Sequence, residues 1–468
     1  MVNVQTLLDR YQSIIPDIEL FKKVSCQALP LTFWVNNMKT NHVEVQSLLA
    51  KDGVEVERCA WSNNAFRCLQ DIKLGNSWQY LAGLIQIQEE VSMLAGYLLA
   101  PKPYETVLDF CAAPGNKTAQ MAISMNNTGT LIANDRNFGR MRAMGQIMKR
   151  LGLINISTTI YDGIHLPLEN HYFDRILVDA PCSCEGTFRK NLNKETFANV
   201  KNSQRLAHTQ LGLLRKAIKA CKPGGTILYS TCTFAPEENE SVVSRALKHY
   251  ADMEVVSINI PGFNFSPGLT TWQGEDFHSD MIKTARIWPH QNNTGGFYLA
   301  LLRKKGTLVA SQKINKKIPN EVVPYLKELE DRFGIESKVW EQYSFSEVGK
   351  KGIYIRSLGG DVPEIKVDAT GLFFIKTNAN ISKLSTAGAM QIGKYAKRNI
   401  IDITKIQLKA FYNREEIQLD GAQLALCTTT GFCLVRYQNH VVGMGLYLSA
   451  LEEKPARLQS LSPKYFKS

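Results

Sequence analysis

Two cysteines stand just beyond short apolar runs: Cys182 in FDRILVDAPCSCEG and Cys232 in GGTILYSTC. Asp179 lies three residues ahead of the first. If both runs are parallel strands of one sheet, their carboxyl ends open onto the crevice where such sheets bind ligands. Two thiols and a carboxylate gathered there suit attack on a pyrimidine. Carbon 5 of cytosine is a poor nucleophile towards a sulfonium methyl. A thiolate adding at carbon 6 turns the ring into an electron-rich enamine. Methyl transfer follows, a base removes the carbon-5 proton, and the thiolate leaves. A free thiol with a pKa of about 8.5 is only a few per cent ionised at neutral pH. A nearby cation such as Lys117 would raise that fraction, and Asp179 could hydrogen-bond ring nitrogen 3 and the exocyclic amine. The plainer alternative is a pair of small buried cysteines.

Three further positions carry a cofactor reading. In LDFCAAPGNKT (108–118) small residues separate a strand from a helix, so backbone amides can approach a ligand and the helix N-terminus favours a carboxylate or phosphate. The run is neither GxGxxG nor GxxxxGK[ST], which disfavours a nucleoside triphosphate. Asp135 ends the next strand and suits a ribose diol. Asp162, in YDG, could accept from an adenine amine. Aspartates at consecutive strand ends fit one adenosine-containing cofactor that also bears a carboxylate, as S-adenosylmethionine does.

These residues need a sheet to hold them. From Glu105 the runs TVLDFC, GTLIAND, ISTTIYD, FDRILVDA and GGTILYSTC alternate with helical segments at Lys117–Ser124, Phe138–Leu151, Gln204–Ala220 and Glu237–Tyr250. Such alternation predicts an α/β fold with a parallel sheet covered on both faces. MEVVSI and GFYLALLR follow, the last without a clear helical crossover, so it is expected antiparallel and near one edge. Residues 1–100 read as a small α/β lobe, with helices at Gln5–Tyr11, Asn41–Ala50 and Ile85–Leu99. Residues 305–385 read as a linker and small α+β module carrying the helix Val322–Phe333. Residues 386–468, with IQLKAF, QLALCTT, FCLVRY and HVVGMGLYL, read as a small β-barrel.

Composition narrows the class. Of 468 residues 44% are apolar and 21% charged, which excludes disordered, fibrous and disulfide-stapled chains. No apolar run reaches membrane-spanning length and no signal-like start is present, so no membrane partner and a cytoplasmic location are expected. The net charge is +12, and residues 304–468 hold 25 basic against 16 acidic side chains. This surplus points to an anionic partner held mainly by the last third. Among ten cysteines there is no CxxC, and the lone CxC at Cys182 and Cys184 lacks a second pair or nearby histidines, so no metal is expected and Cys184 is read as structural.

DFCAAPGNKT, DAPCSCEGTFRK and GGTILYSTCTFAPEENE, with IQEE, YDG and RIWPHQNNTGGFYLALLRK, resemble the motif set of the Nop/Sun family of RNA 5-methylcytosine methyltransferases. The similarity covers residues 1–304. It implies a Rossmann-like S-adenosylmethionine-dependent domain over 101–304, with 1–100 as an RNA-binding lobe. It further implies Cys232 as nucleophile, Cys182 in turnover and product release, and Asp179 and Lys117 beside the target base. The implied cofactor pocket comprises Cys111, Ala112, Ala113, Pro114, Gly115, Asn116, Lys117, Asp135, Arg140, Asp162 and Asp179. DNA enzymes of this chemistry attack with the Pro-Cys cysteine, so the second cysteine argues for RNA.

The tail is similar to that of bacterial small-subunit ribosomal RNA enzymes of this family, which end in a PUA-like RNA-binding module. The resemblance implies a monomer acting on RNA, either ribosomal RNA, free or within the small ribosomal subunit, or tRNA; a non-catalytic ribosome-assembly factor is the remaining alternative. Expected phosphate contacts are Lys304, Lys305, Lys313, Lys316, Lys317, Lys394, Lys397 and Arg398. Two motifs depart from the family at positions expected to face RNA: Arg189-Lys190-Asn191-Leu192 and Trp34-Val35-Asn36.

Overall fold

The computed structural model describes residues 5–190, 192, 198–309, 317–347, 352–359, 364–377, 383–451 and 455–464. Its centre is a sheet whose parallel strands run in the spatial order Cys221–Thr231, Phe173–Asp179, Thr106–Asp109, Thr130–Asn134 and Ile156–Thr159. Buried on both faces, these strands read as near-continuous apolar runs. Phe297–Lys304 pairs antiparallel with Cys221–Thr231, as its missing crossover predicts. Met253–Val256 and Ala285–Ile287 pair with its far side.

Helices form where caps and apolar spacing agree. Phe138–Leu151 starts at Asn137, whose side chain accepts from the Arg140 amide, and stops at the left-handed Gly152. Its buried Met141, Met144, Met148 and Leu151 recur at helical spacing and join the core on one face of the sheet. Val200–Ala220 covers the other face through Leu211, Leu214 and Ile218, against Ile176, Val178 and Tyr229. Each such side chain contributes about 1.5–3 kcal/mol when fully buried.

The N-terminal lobe differs in one place from its sequence reading. Ile85–Leu99 is not a single helix: Ile85–Ile87 is a strand antiparallel to Thr32–Val35, and the helix Glu90–Leu99 begins only after Glu89, which caps the Ser92 amide. The stretch Trp34-Val35-Asn36 faces the interior rather than RNA. Trp34 Nε1 donates to Gln88 Oε1, and Asn36 Nδ2 donates to the Gly83 and Leu151 carbonyls.

The last third is less barrel-like than expected. IQLKAF lies in a helix, Lys405–Asn413, and QLALCTT in a short 3₁₀ turn and loop. Five strands form an open sheet in the order Ile400–Asp402, Gly431–Tyr437, His440–Leu448, Arg457–Ser460 and Glu416–Gln418. That sheet shares a core with the N-terminal lobe: Ile401, Phe411 and Leu458 pack in one cluster with Phe33, Val35 and Leu48. Between them, Ala369–Thr370 pairs antiparallel with Ile156–Thr159, adding a strand to the edge of the central sheet. No helix among the described residues is long and apolar enough to cross a membrane.

Candidate active site

At the carboxyl ends of the central strands lies a cavity of about 360 Å³. Cys111, Ala113, Lys117, Asp135, Arg140, Asp162, Asp179, Cys182 and Cys232 line it, from five consecutive strand ends and the turns after them. Ala112, Pro114, Gly115 and Asn116 shape the first turn without lining the cavity. The Ala112 amide is taken by the Asn134 carbonyl, and Asn116 Oδ1 accepts from Gln86 Nε2. Gly115 is in the left-handed region (φ 107°), where a Cβ would meet Met144 Cγ at 2.6 Å, so glycine is required there.

The first turn leads into the helix Asn116–Ser124, which has no side-chain cap. Its first amides therefore lack an intrahelical acceptor, next to the lining residues Ala113 and Lys117. Asp135 accepts from the Ala113 and Asn137 amides, and Arg140 donates to the Ala113 carbonyl. Asp162 accepts from the Ile164 amide and stays half-exposed. Carboxylate oxygens keep further lone pairs for donors. Uncapped amides for a carboxylate, and two carboxylates for hydroxyl and amine donors, fit S-adenosylmethionine.

On the opposite wall Cys182 Sγ lies 3.4 Å from Cys232 Sγ. Asp179 Oδ1 accepts from Ser230 Oγ at 2.7 Å and Oδ2 from Lys117 Nζ at 2.8 Å. The Lys117 ammonium also lies over the Phe297 ring, 5.3 Å from its centroid. Burial works against its charge, but Asp179 outweighs burial and holds the ammonium above its ordinary range. The ammonium is also close enough to Cys232 for their charges to interact. Contact with Cys182 favours the Cys232 thiolate, yet contact with Cys184, burial and the Asp179 charge overcome this and hold the thiol well above its usual value. Contacts with Cys184 and Cys232, together with burial, push the Cys182 thiol up as well.

The two cysteine loops are tied together by residues the sequence reading left unassigned. The Gly186 amide donates to the Cys232 carbonyl at 2.9 Å, and the Gly296 amide to the Gly186 carbonyl at 2.9 Å. A Cβ on Gly186 would meet the Gly296 carbonyl oxygen at 2.4 Å. Glu238 accepts from the Ser183 amide and from Gln210 Nε2, which also holds the Pro181 carbonyl. Glu185 accepts from Tyr11 and Thr233 hydroxyls, anchoring the loop to the N-terminal helix. Glu89, buried at the cavity edge, accepts from the Gly295 amide. These partners lie far apart in the chain, so the sequence hinted at them only through the motifs DAPCSCEGTFRK, GGTILYSTCTFAPEENE, IQEE and GGFY, without showing that they meet.

Several expected RNA contacts fall elsewhere. Arg189 is buried and donates to the Gln27, Ala28 and Thr294 carbonyls, pinning the lobe to the catalytic domain. Lys304 is buried with Nζ donating to the Ile218 and Cys221 carbonyls, because its strand end is covered by the helix Val200–Ala220. Lys305, Lys317, Lys394, Lys397 and Arg398 are exposed. Lys190 lines the cavity. Lys313, Lys316 and Asn191 lie outside the described residues.

Comparison with known proteins agrees with this geometry. A family profile described as 16S rRNA methyltransferase RsmB/F matches residues 96–303. A tRNA (cytosine(49)-C(5))-methyltransferase of Pyrococcus abyssi is 35% identical over 300 residues, 64% of this chain and 95% of that protein. The Ribosomal RNA small subunit methyltransferase F of Aeromonas salmonicida is 29% identical over 89% of this chain and 87% of that protein. A 28S rRNA (cytosine-C(5))-methyltransferase of Mus musculus is 36% identical over 64% of this chain, which spans only 38% of that longer protein. Among solved structures, a methyltransferase homologue from Pyrococcus horikoshii superposes with a TM-score of 0.57 at 32% identity, covering 64% of this chain and 94% of that one. With the strand-end aspartates, the uncapped helix and the paired thiols on one cavity, the chain belongs to the RsmB/F family of S-adenosylmethionine-dependent RNA (cytosine-C5)-methyltransferases.

Proposed function

We propose that this protein methylates carbon 5 of a cytosine in small-subunit ribosomal RNA through a covalent adduct between Cys232 and carbon 6 of the base. The observation that carries the reading is the 3.4 Å approach of Cys182 and Cys232 beside the Lys117–Asp179 pair. When bound, S-adenosylmethionine supplies an electrophilic sulfonium methyl. The chain's residues do the rest. Asp179 accepts from the exocyclic amine or, once protonated, donates to nitrogen 3, and Lys117 fixes its orientation. Cys232 gives its proton to solvent as its sulfur bonds to carbon 6, the enamine's carbon 5 takes the methyl, and loss of the carbon-5 proton to solvent breaks the carbon–sulfur bond and frees the thiolate. Cys182, in contact with Cys232, assists elimination and product release. Residues 112–118, Asp135, Arg140 and Asp162 hold the cofactor.

The choice of ribosomal RNA rests on the last third. The relative that matches this chain over most of its length carries the small-subunit name, whereas the P. abyssi tRNA enzyme matches only 64% of it. The open sheet at Ile400–Ser460 supports a PUA-like RNA-binding module, bounded near residue 386 from the linker module that begins at 305. Exposed Lys317, Lys394, Lys397 and Arg398 offer phosphate contacts that offset the few kcal/mol needed to extrude a base. The working form in this reading is a cytoplasmic monomer. Bisulfite sequencing of ribosomal and transfer RNA from cells with and without the gene tests it: one protected cytosine in small-subunit RNA disappears with the gene and does not return with Cys232→Ala. Loss of a tRNA signal alone would reassign the substrate.

A further inference from the structure

Cys184, read from sequence as structural, stands with the two thiols already described. Its Sγ lies 3.9 Å from Cys182 Sγ, and the three sulfur atoms of Cys182, Cys184 and Cys232 all lie within 4.8 Å of one another. A zinc-like ion binds thiolates at about 2.3 Å, which sets the sulfur atoms about 3.8 Å apart in a tetrahedral site and about 4 Å apart in a trigonal one. The observed spacings bracket both values. The fold supplies what the CxC motif lacks, because Cys232 arrives from the neighbouring strand end.

Two further observations point the same way. Cys184 adopts a left-handed backbone (φ 60°), uncommon for a residue with a side chain. Its sulfur lies 3.3 Å from the Cys182 carbonyl, and the residue is exposed, so an ion can reach it from solvent. The Lys117 ammonium lies in the same cavity, close enough to Cys232 for their charges to interact. Three thiolates on a divalent ion carry a net charge of about −1, and that cation offsets it.

We propose that Cys182, Cys184 and Cys232 form a site for one thiophilic d¹⁰ cation of the Zn²⁺ and Cd²⁺ class, bound by three thiolates with its fourth position open to the cavity. Binding forms three metal–sulfur bonds, releases the three thiol protons to solvent and moves no electrons between the partners. Occupancy and the cytosine adduct exclude one another, since both engage the sulfur of Cys232. The site is a switch on the enzyme in that sense, but its existence follows from the sulfur geometry and not from the RNA reading.

The test uses the reduced, metal-free full-length protein titrated with Cd²⁺, followed by the ultraviolet thiolate-to-cadmium charge-transfer band and by proton release. Zn²⁺ is then competed against a chromophoric chelator. The expected result is one ion per chain. Cys184→Gly, which suits the left-handed backbone, and Cys184→Ser should each lower affinity at least tenfold with an unchanged circular dichroism spectrum. Cys26→Ser, at an exposed thiol remote in sequence, should leave it unchanged. Absence of the band, or affinity in either Cys184 variant equal to that of the unsubstituted protein, overturns the site. In a second arm, Zn²⁺-loaded protein should lose methyl incorporation into RNA at least tenfold and regain it with chelator. Retained incorporation with the ion bound overturns the exclusion. Should the RNA reading fail, the absorbance titration still stands alone.

Discussion

Lys117 Nζ and Asp179 Oδ2 lie 2.8 Å apart, with both side chains mostly sheltered from water. The carboxylate holds the ammonium charged in that place. Replacing Asp179 with asparagine leaves the ammonium facing an amide and removes the carboxyl that would serve nitrogen 3. Methyl incorporation should fall about 10²- to 10⁴-fold, the usual worth of positioned acid–base groups. Stability should drop by about 1–3 kcal/mol in urea unfolding. A variant with near-normal turnover would take Asp179 out of the chemistry.

Replacing Cys182 with alanine should leave Cys232 able to attack and slow its release. The expected readout is a protein–RNA species that survives denaturing electrophoresis and disappears in the Cys182→Ala/Cys232→Ala double variant. Free RNA alone, with normal turnover, would remove Cys182 from product release.

Asp109 gives a pH dependence. Its side chain is buried at the end of the central strand, with Oδ2 accepting from Thr118 Oγ1 at 2.7 Å, and burial pushes the carboxyl up to about 7. Between roughly pH 4 and 7 the folded protein therefore keeps a proton that the unfolded chain has released. The contribution to stability is full below about pH 4 and is lost as pH rises through 7. Asp109→Asn should flatten the fall in melting temperature across that window. An unchanged slope would place the titration on another group.

Salt dependence tests the basic surface without deleting it. Residues 304–468 share a core with the N-terminal lobe and supply an edge strand, so removing them would expose Phe33, Val35 and Leu48. Substituting Lys394, Lys397 and Arg398 with glutamine is the cleaner experiment. Each side chain that contacts phosphate should reduce the slope of log affinity against log salt by about 0.7. An unaltered slope means that this surface is merely solvated; Lys397, for one, already pairs with Glu336 at 2.8 Å.

Where sequence and structure part company, competition between local signals explains it. Ile406, Leu408 and Ala410 alternate as a strand would, but Thr404 and Gln407 make a reciprocal cap and the helix buries Leu408, Phe411 and Tyr412 instead. Ile406 is left 86% exposed. The apolar Ile85–Ile87 looks helical because the helix that follows is equally apolar, and only pairing with Phe33 and Val35 makes it a strand. The short outer strands Ala285–Ile287 and Ala369–Thr370 of the central sheet were not readable, whereas its parallel strands were, since they are apolar and regularly spaced. So was the meeting of Asp179, Cys182 and Cys232, because strand-end position needs no side-chain detail. Arg189 and Lys304 were not, since a basic residue with every donor satisfied by buried carbonyls has the same letters as one facing solvent.

The two-residue strand Ala369–Thr370 carries a last consequence. Its bonds to Ile156–Thr159, with Ser157 and Thr370 hydroxyls 2.8 Å apart, close what would be a bare sheet margin. They also weld the basic last third to the scaffold that bears the cysteines. On the function proposed above, RNA held by that third would meet the sulfur atoms at a set span, and its target would be measured by length as well as by base.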